Sequence, residues 1–149
     1  DHRDLHSFPT RRSSDLEAAN DYKARGITDV LLSPHIEGDL VKFYGVEDTD
    51  FFHLYYPTRG ACFSKFGLER FNGSPTGYAF SESALKKSAD ACAAVSGFTV
   101  YGGDAVVRPD GSFLIIDFND WPSFSRCCDE AAEAIAERLR KMIKAKHRI

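Results

Sequence analysis

The sequence predicts an α/β chain of the α+β kind, a mostly antiparallel sheet with packed helices. Three observations predict it. Short β-rich runs are separated by acidic or Pro-Asp-Gly turns, which suit antiparallel neighbours. Two later segments, 81–96 and 127–143, carry apolar residues at helical spacing. The 149 residues are 43% hydrophobic and 28% charged, enough apolar content for the core of one domain.

The first sixteen residues stand apart. His6-Ser-Phe-Pro-Thr-Arg-Arg-Ser-Ser-Asp-Leu16 resembles, at every position, the conceptual translation of a common sequencing adapter. A Ser/Arg-rich targeting peptide is the alternative, but Asp1, Asp4 and Asp15 oppose the acid-poor habit of such peptides. Residues 1–16 are therefore set aside as a non-native segment, expected to lack order. Residues 17–149 are expected to be a fragment whose natural beginning lies upstream.

From Glu17 to Arg25 the pattern is a helical tail with Ala18, Ala19 and Tyr22 in step, and Gly26 is placed to end it. Thr28 to Ile36 and Leu40 to Val46 read as a strand pair around Glu37-Gly38-Asp39, with Pro34 marking a strand end or edge. Phe51 to Tyr56 reads as a third strand, its continuous aromatics predicting burial on both faces. Pro57 to Thr76 is rich in Gly, Pro and Ser and reads as a long loop carrying Arg59, Lys65 and Arg70.

Ser81 to Ser96 predicts a helix with Leu85, Cys92 and Val95 on its apolar stripe and Gly97 as its stop. Val100 to Pro122 reads as two apolar strands joined by a Pro-Asp-Gly turn, a hairpin turned at Arg108 to Gly111. A last amphipathic helix, about Cys127 to Ile143, places Cys128, Ala131, Ile135, Leu139 and Met142 on one stripe and a Glu137–Lys141 pair on the other side.

Composition excludes several function classes. A net charge of −3 offers no basic excess for a phosphate backbone, so no nucleic-acid partner is expected. Apolar runs fall short of the roughly 18–20 residues that span a bilayer, so no membrane partner is expected. Cys62, Cys92, Cys127 and Cys128 show no metal-ligand spacing, and an adjacent pair is poor disulfide material. They read as reduced core or near-core thiols of a cytoplasmic protein.

The chemistry concentrates in the predicted hairpin. Asp104 would sit across from residues 115–117, and Asn119 shares a face with Asp117, so three oxygen-bearing side chains converge in the favourable register. Two carboxylates this close repel unless a cation lies between them. Hard oxygen ligands favour Mg2+ or Mn2+. The plainer alternative is that Asp104 caps a bulge and Asp117-Phe-Asn119 begins a turn. His35 and His53 read as structural.

Gly97-Phe-Thr-Val-Tyr-Gly-Gly-Asp104 followed by Phe113-Leu-Ile-Ile-Asp117-Phe-Asn119-Asp-Trp-Pro122 resembles the closing motif of ATP-grasp enzymes. Upstream, His35-Ile-Glu-Gly-Asp39-Leu-Val-Lys42-Phe-Tyr-Gly45 is similar to that family's adenine hinge and following strand. The resemblance implies the C-terminal lobe of an ATP-grasp fold, with ATP and Mg2+ (or Mn2+) as cofactors.

By position, the resemblance implies that Asp104, Asp117 and Asn119 hold the metal and that Ser33, His35 and Ile36 line the adenine. Asp39 would meet the ribose, Lys42 would face the phosphates or an anionic substrate, and Arg59 and Lys65 would steady the transferred phosphate. Ser33-Pro34 departs from the usual start of the hinge, and the family's phosphate-gripping lysines would lie upstream of this chain. The parent is accordingly expected to be a ligase joining a carboxylate to an amine through an acyl phosphate, on an unidentified small-molecule substrate. The fragment alone is expected to be inactive. The alternatives are an inositol-phosphate-like kinase of the same scaffold, suggested by Leu40-Val-Lys42-Phe-Tyr44, and a degenerate nucleotide-binding module.

Overall fold

A computed structural model describes residues 15–31, 34–57 and 74–147. The chain divides into two units, Asp1–His35 and Ile36–Ile149. In the first, helix α1 spans Asp15–Ala24, beginning two residues before the expected helical tail. Gly26 ends it as expected, at φ 76°, a left-handed value that glycine adopts without a Cβ clash. The amide of Ile27 donates back to the Tyr22 carbonyl at 2.9 Å.

The second unit is an antiparallel sheet with two helices. Its strands are β1 (Asp39–Val46), β2 (Phe52–Tyr55), β3 (Val100–Val107) and β4 (Phe113–Asp120), in spatial order β2-β1-β3-β4. Helix α2 spans Glu82–Ser96 and α3 spans Cys128–Lys146. Among the described residues no helix is long and apolar enough to cross a membrane.

The strand pair expected from 28–36 and 40–46 does not form. The described part of 28–36 has no strand structure, and β1 instead pairs with β2 on one side and β3 on the other. Apolar composition alone could not distinguish an extended coil from a strand there, and Pro34 removes a ladder donor. The expected burial of the third strand on both faces is also corrected. β2 is an edge strand and all four of its residues are only half-buried.

One face of the sheet makes the core. Val41, Phe43, Tyr101, Ala105 and Val107 pack with Leu85, Ala89 and Ala93 of α2. Each large apolar side chain so buried contributes about 1.5–3 kcal/mol relative to exposure. Alanines at four-residue steps let the α2 backbone lie close to the sheet. The expected stripe through Val95 is thus wrong in phase: Val95 is 91% exposed, and Ala89 and Ala93 are fully buried. Gly97 closes α2 as predicted, at φ 72°, while Ser81, read as the first helical residue, is its N-cap and accepts from the Ala84 amide at 3.2 Å.

In α3 the buried line is Cys127, Ala131 and Ala134, continued by Arg138, whose guanidinium meets Glu47 at 2.6 Å and Asp48 at 3.1 Å. The expected stripe holds at Ala131 but not at its ends: Cys128 is exposed, and Leu139 and Met142 are 50% and 42% exposed. The Glu137–Lys141 pair forms at 2.5 Å. Cys92, Cys127 and Cys128 are free thiols, and Cys62 lies outside the described residues.

Candidate functional site

The second face of the sheet carries the polar residues. Strand register aligns Tyr55, Lys42, Asp104 and Asp117 as one row across all four strands. The next row is His53, Tyr44, Gly102 and Asn119. Residues in register share a face and stand within side-chain reach.

A β-bulge makes this row possible. Ala105 pairs with Ile115 but Asp104 pairs with Asp117, which leaves Ile116 as the extra residue of β4. Up to that point Phe113 and Ile115 pack on the core; beyond it Phe118 does. Uninterrupted alternation would continue 113, 115, 117 and drive the Asp117 carboxylate into the core. The inserted residue reverses the phase and aims Asp117 and Asn119 outward, where both are exposed. Gly103 accommodates the bulge: a Cβ there would lie 2.2 Å from the Asp117 carbonyl oxygen and 2.8 Å from Phe43.

At the centre of the row the Lys42 Nζ donates to both Asp104 carboxylate oxygens, at 2.8 and 2.9 Å. The pair is about three-quarters buried, with side chains 26% and 22% exposed, so its attraction is less screened than that of a surface pair. Toward β4, the Asn119 amide nitrogen donates to Asp117 Oδ2 at 3.2 Å. Toward β2, the Tyr44 and Tyr55 hydroxyls share a hydrogen bond at 3.0 Å. Burial, then that bond, holds the Tyr55 phenol well above the usual tyrosine range.

The chain leaving β4 folds back over this face. Trp121 has a left-handed φ of 44°, unusual for a bulky residue, and reverses the chain. Gly102 admits the return, since a Cβ there would lie 2.7 Å from Pro122 and 2.9 Å from Tyr44. Phe124 then meets Tyr44 edge-on at 5.5 Å between centroids, and the Arg126 guanidinium lies over the Tyr55 ring at 4.1 Å. His53 stacks on Tyr44.

The structure thus brings Lys42, Asp104, Asp117 and Asn119 together. It does not bring Asp39 to them. Asp39 points to the opposite face, is 5% exposed, and accepts the amides of Thr76, Gly77 and Tyr78 at 2.7, 2.6 and 3.1 Å. A ribose hydroxyl would compete with those three donors. Ile36 is half-buried in the same unit, whereas His35 is exposed and belongs to the first unit. Ser33, Arg59 and Lys65 lie outside the described residues.

Two members of this face, Tyr55 and Arg126, were not identified from sequence. Counting outward from the Glu47–Asp50 turn would have set Tyr55 opposite Lys42. Arg126 depends on the chain reversal at Trp121 and carries no comparable sequence signal.

Among the described residues, no three His, Cys, Asp or Glu side chains gather as a metal cluster. A cation at this row would draw on two carboxylates, the Asn119 amide oxygen, and oxygens of a ligand or water. That donor set suits a hard cation such as Mg2+. A separate cleft of about 390 Å³ lies at the β1–β2 turn, and both its lysines are paired, Lys86 on Asp90 at 2.7 Å and Lys141 on Glu137 at 2.5 Å. It reads as a satisfied ionic junction between helices and turn. No protein-family model, no curated protein and no solved structure matches the chain.

Proposed function

We propose that this chain is the ATP- and magnesium-binding C-terminal portion of an ATP-grasp ligase. The observation that carries the reading is the row Lys42–Asp104–Asp117 with Asn119 beside it, set by a bulge that turns Asp117 and Asn119 away from the core. Asp104, Asp117 and Asn119 would hold the metal, and Lys42 would share Asp104 while facing the nucleotide phosphates. Bound magnesium would supply charge neutralisation and Lewis acidity at the phosphates.

The chain's own residues contribute mainly positioning and fixed charge. The strands set Asp104 and Asp117 directly opposite each other, so the backbone positions of both carboxylates are fixed before a metal binds. Lys42 keeps Asp104 in place through two charge-assisted bonds. The resemblance of the two closing strands and the preceding hinge to ATP-grasp enzymes supports transfer of a phosphoryl group to a carboxylate, followed by capture of the acyl phosphate by an amine.

Calorimetric titration of the intact protein with ATP tests the reading. Binding should require Mg2+ and should be lost in Asp117→Ala. Binding without magnesium dependence, retained in that variant, would support a degenerate nucleotide-binding module instead. Hydroxylamine trapping of an acyl phosphate separates ligase from kinase chemistry.

A further inference from the structure

The outer face of α3 carries an uncovered apolar strip. Cys127, Ala131, Ala134 and Arg138 turn inward, whereas Leu139, Met142 and Ile143 are 50%, 42% and 57% exposed. A single exposed apolar residue is ordinary, but a contiguous strip along one helix marks a contact surface.

The strip has the spacing of a helix–helix seam. Ala132, Ala136, Leu139 and Ile143 recur at steps of four, three and four, which keeps them in line where two helices meet. The first two are small and the last two large. Ala132 and Ala136, with Glu133, Glu137 and Arg140, line a shallow groove on the helix surface, and Leu139 and Ile143 are ridges of the size such a groove takes. Glu133 and Arg140 lie on the same flank of the seam, and both are exposed. Charge also divides along the helix: Asp129, Glu130, Glu133 and Glu137 are in its first half, and its basic residues, Arg138 to Lys146, are in the second.

We infer that a second copy of this chain covers this face, the two α3 helices running antiparallel about a twofold axis at the middle of the helix. One register satisfies both size and charge. Ala136 of each copy faces Leu139 of the other and Ala132 faces Ile143, so small meets large in every layer. The same register sets Glu133 of each copy beside Arg140 of the other, and the acidic half of one helix along the basic half of its mate. A parallel pair would stack Leu139 on Leu139 and Ala136 on Ala136, and would set Arg140 beside apolar Ile135. An anionic lipid surface fits less well, because it would repel the acidic half of the helix. A single helix pair buries less than the roughly 800 Å² per partner of a standard interface, so the dimer is weak, with a dissociation constant on the order of micromolar or above.

Sedimentation equilibrium of the full chain, from micromolar to millimolar concentration at low salt, tests this. A reversible monomer–dimer equilibrium is expected, and it should weaken as salt is added. Leu139→Lys changes a half-exposed residue, so its melting temperature in dilute solution should match the parent's, while dimerisation weakens more than about tenfold. Glu133→Arg alone, or Arg140→Glu alone, should each weaken self-association about fivefold or more, because like charges then meet across the seam twice. The double variant should recover the parent's affinity. An equimolar mixture of the two single variants should form heterodimers more tightly than either forms homodimers, which only the antiparallel register provides.

A monomer at every concentration overturns the inference, as does a dimer unaffected by Leu139→Lys. A dimer that responds to Leu139→Lys but not to the charge exchange overturns the antiparallel register. Co-sedimentation with phosphatidylserine vesicles by a chain that stays monomeric in solution would assign the face to lipid instead.

Discussion

Replacing Lys42 by methionine removes the cation that faces Asp104 while keeping much of the apolar stem. The side chains of the pair are 26% and 22% exposed, between the exposed pairs worth about 0–1 kcal/mol and the fully buried ones whose breakage costs about 3–5 kcal/mol. A loss of about 2 kcal/mol is expected. The variant also removes the cation beside Asp104 that offsets its repulsion with Asp117, its partner in register. At about 5 Å that repulsion is roughly 1–3 kcal/mol for effective dielectrics between water and a protein surface.

Thermal unfolding should therefore shift down by about 6–8 °C in Lys42→Met, and less in Lys42→Met combined with Asp104→Asn, where no charge is left unpaired. Added Mg2+ should raise the melting temperature of Lys42→Met more than that of the parent chain. Calorimetry on the four members of the cycle reads all of this. Additive effects with no coupling, together with a magnesium response equal in both proteins, would refute the idea that Lys42 supplies the charge compensation at this row.

Other consequences are as direct. Asp39→Ala should lose about 3 kcal/mol in urea unfolding, since three backbone amides lose a charged acceptor, and hydrogen exchange should rise at Thr76, Gly77 and Tyr78. Gly103→Ala should cost about 3 kcal/mol or more, because its Cβ would strike the backbone oxygen of Asp117 rather than a movable side chain. Stability should fall in alkali. Burial, helped by Glu130 and Cys128, pushes the Cys127 thiol up from 9.0 to about 11, so the neutral form is favoured by the fold. That contribution is complete below pH 9 and is lost as pH rises toward 11. Buried Tyr101, bonded to Asp90 at 2.5 Å, has its phenol raised as well, which extends the decline above pH 10. Urea midpoints measured from pH 8 to 11 should show the fall, with a shallower slope in Cys127→Ala.

The hairpin was legible because its signals are local. A Pro-Asp-Gly turn fixes which residues face each other, and the Gly111 amide donates to the Arg108 carbonyl as that turn requires. Counting from it put Asp104 near Asp117, and the helix stop at Gly97 was equally local. The bulge at Ile116 was not legible, since an apolar run reads the same with or without an unpaired residue. Neither was the Lys42–Asp104 contact: it joins residues 62 apart in sequence, through a β1–β3 pairing that no turn announces. The helix stripes failed for a related reason. Hydrophobic spacing favours large side chains such as Val95 and Leu139, whereas close approach to the sheet selected Ala89, Ala93 and Ala134; Leu85 and Ala131 are buried as expected.

Manganese relaxation tests the central claim most directly, because Mn2+ substitutes for Mg2+ at oxygen sites and broadens only nearby resonances. With Mn2+ and ATP added to the 15N-labelled chain, the amides of Gly102 to Asp104 and Asp117 to Asn119 should broaden first, and Asp117→Ala should abolish the effect. Broadening centred on Glu47 to Asp50, or broadening at the hairpin that survives Asp117→Ala, would contradict a metal site at this row.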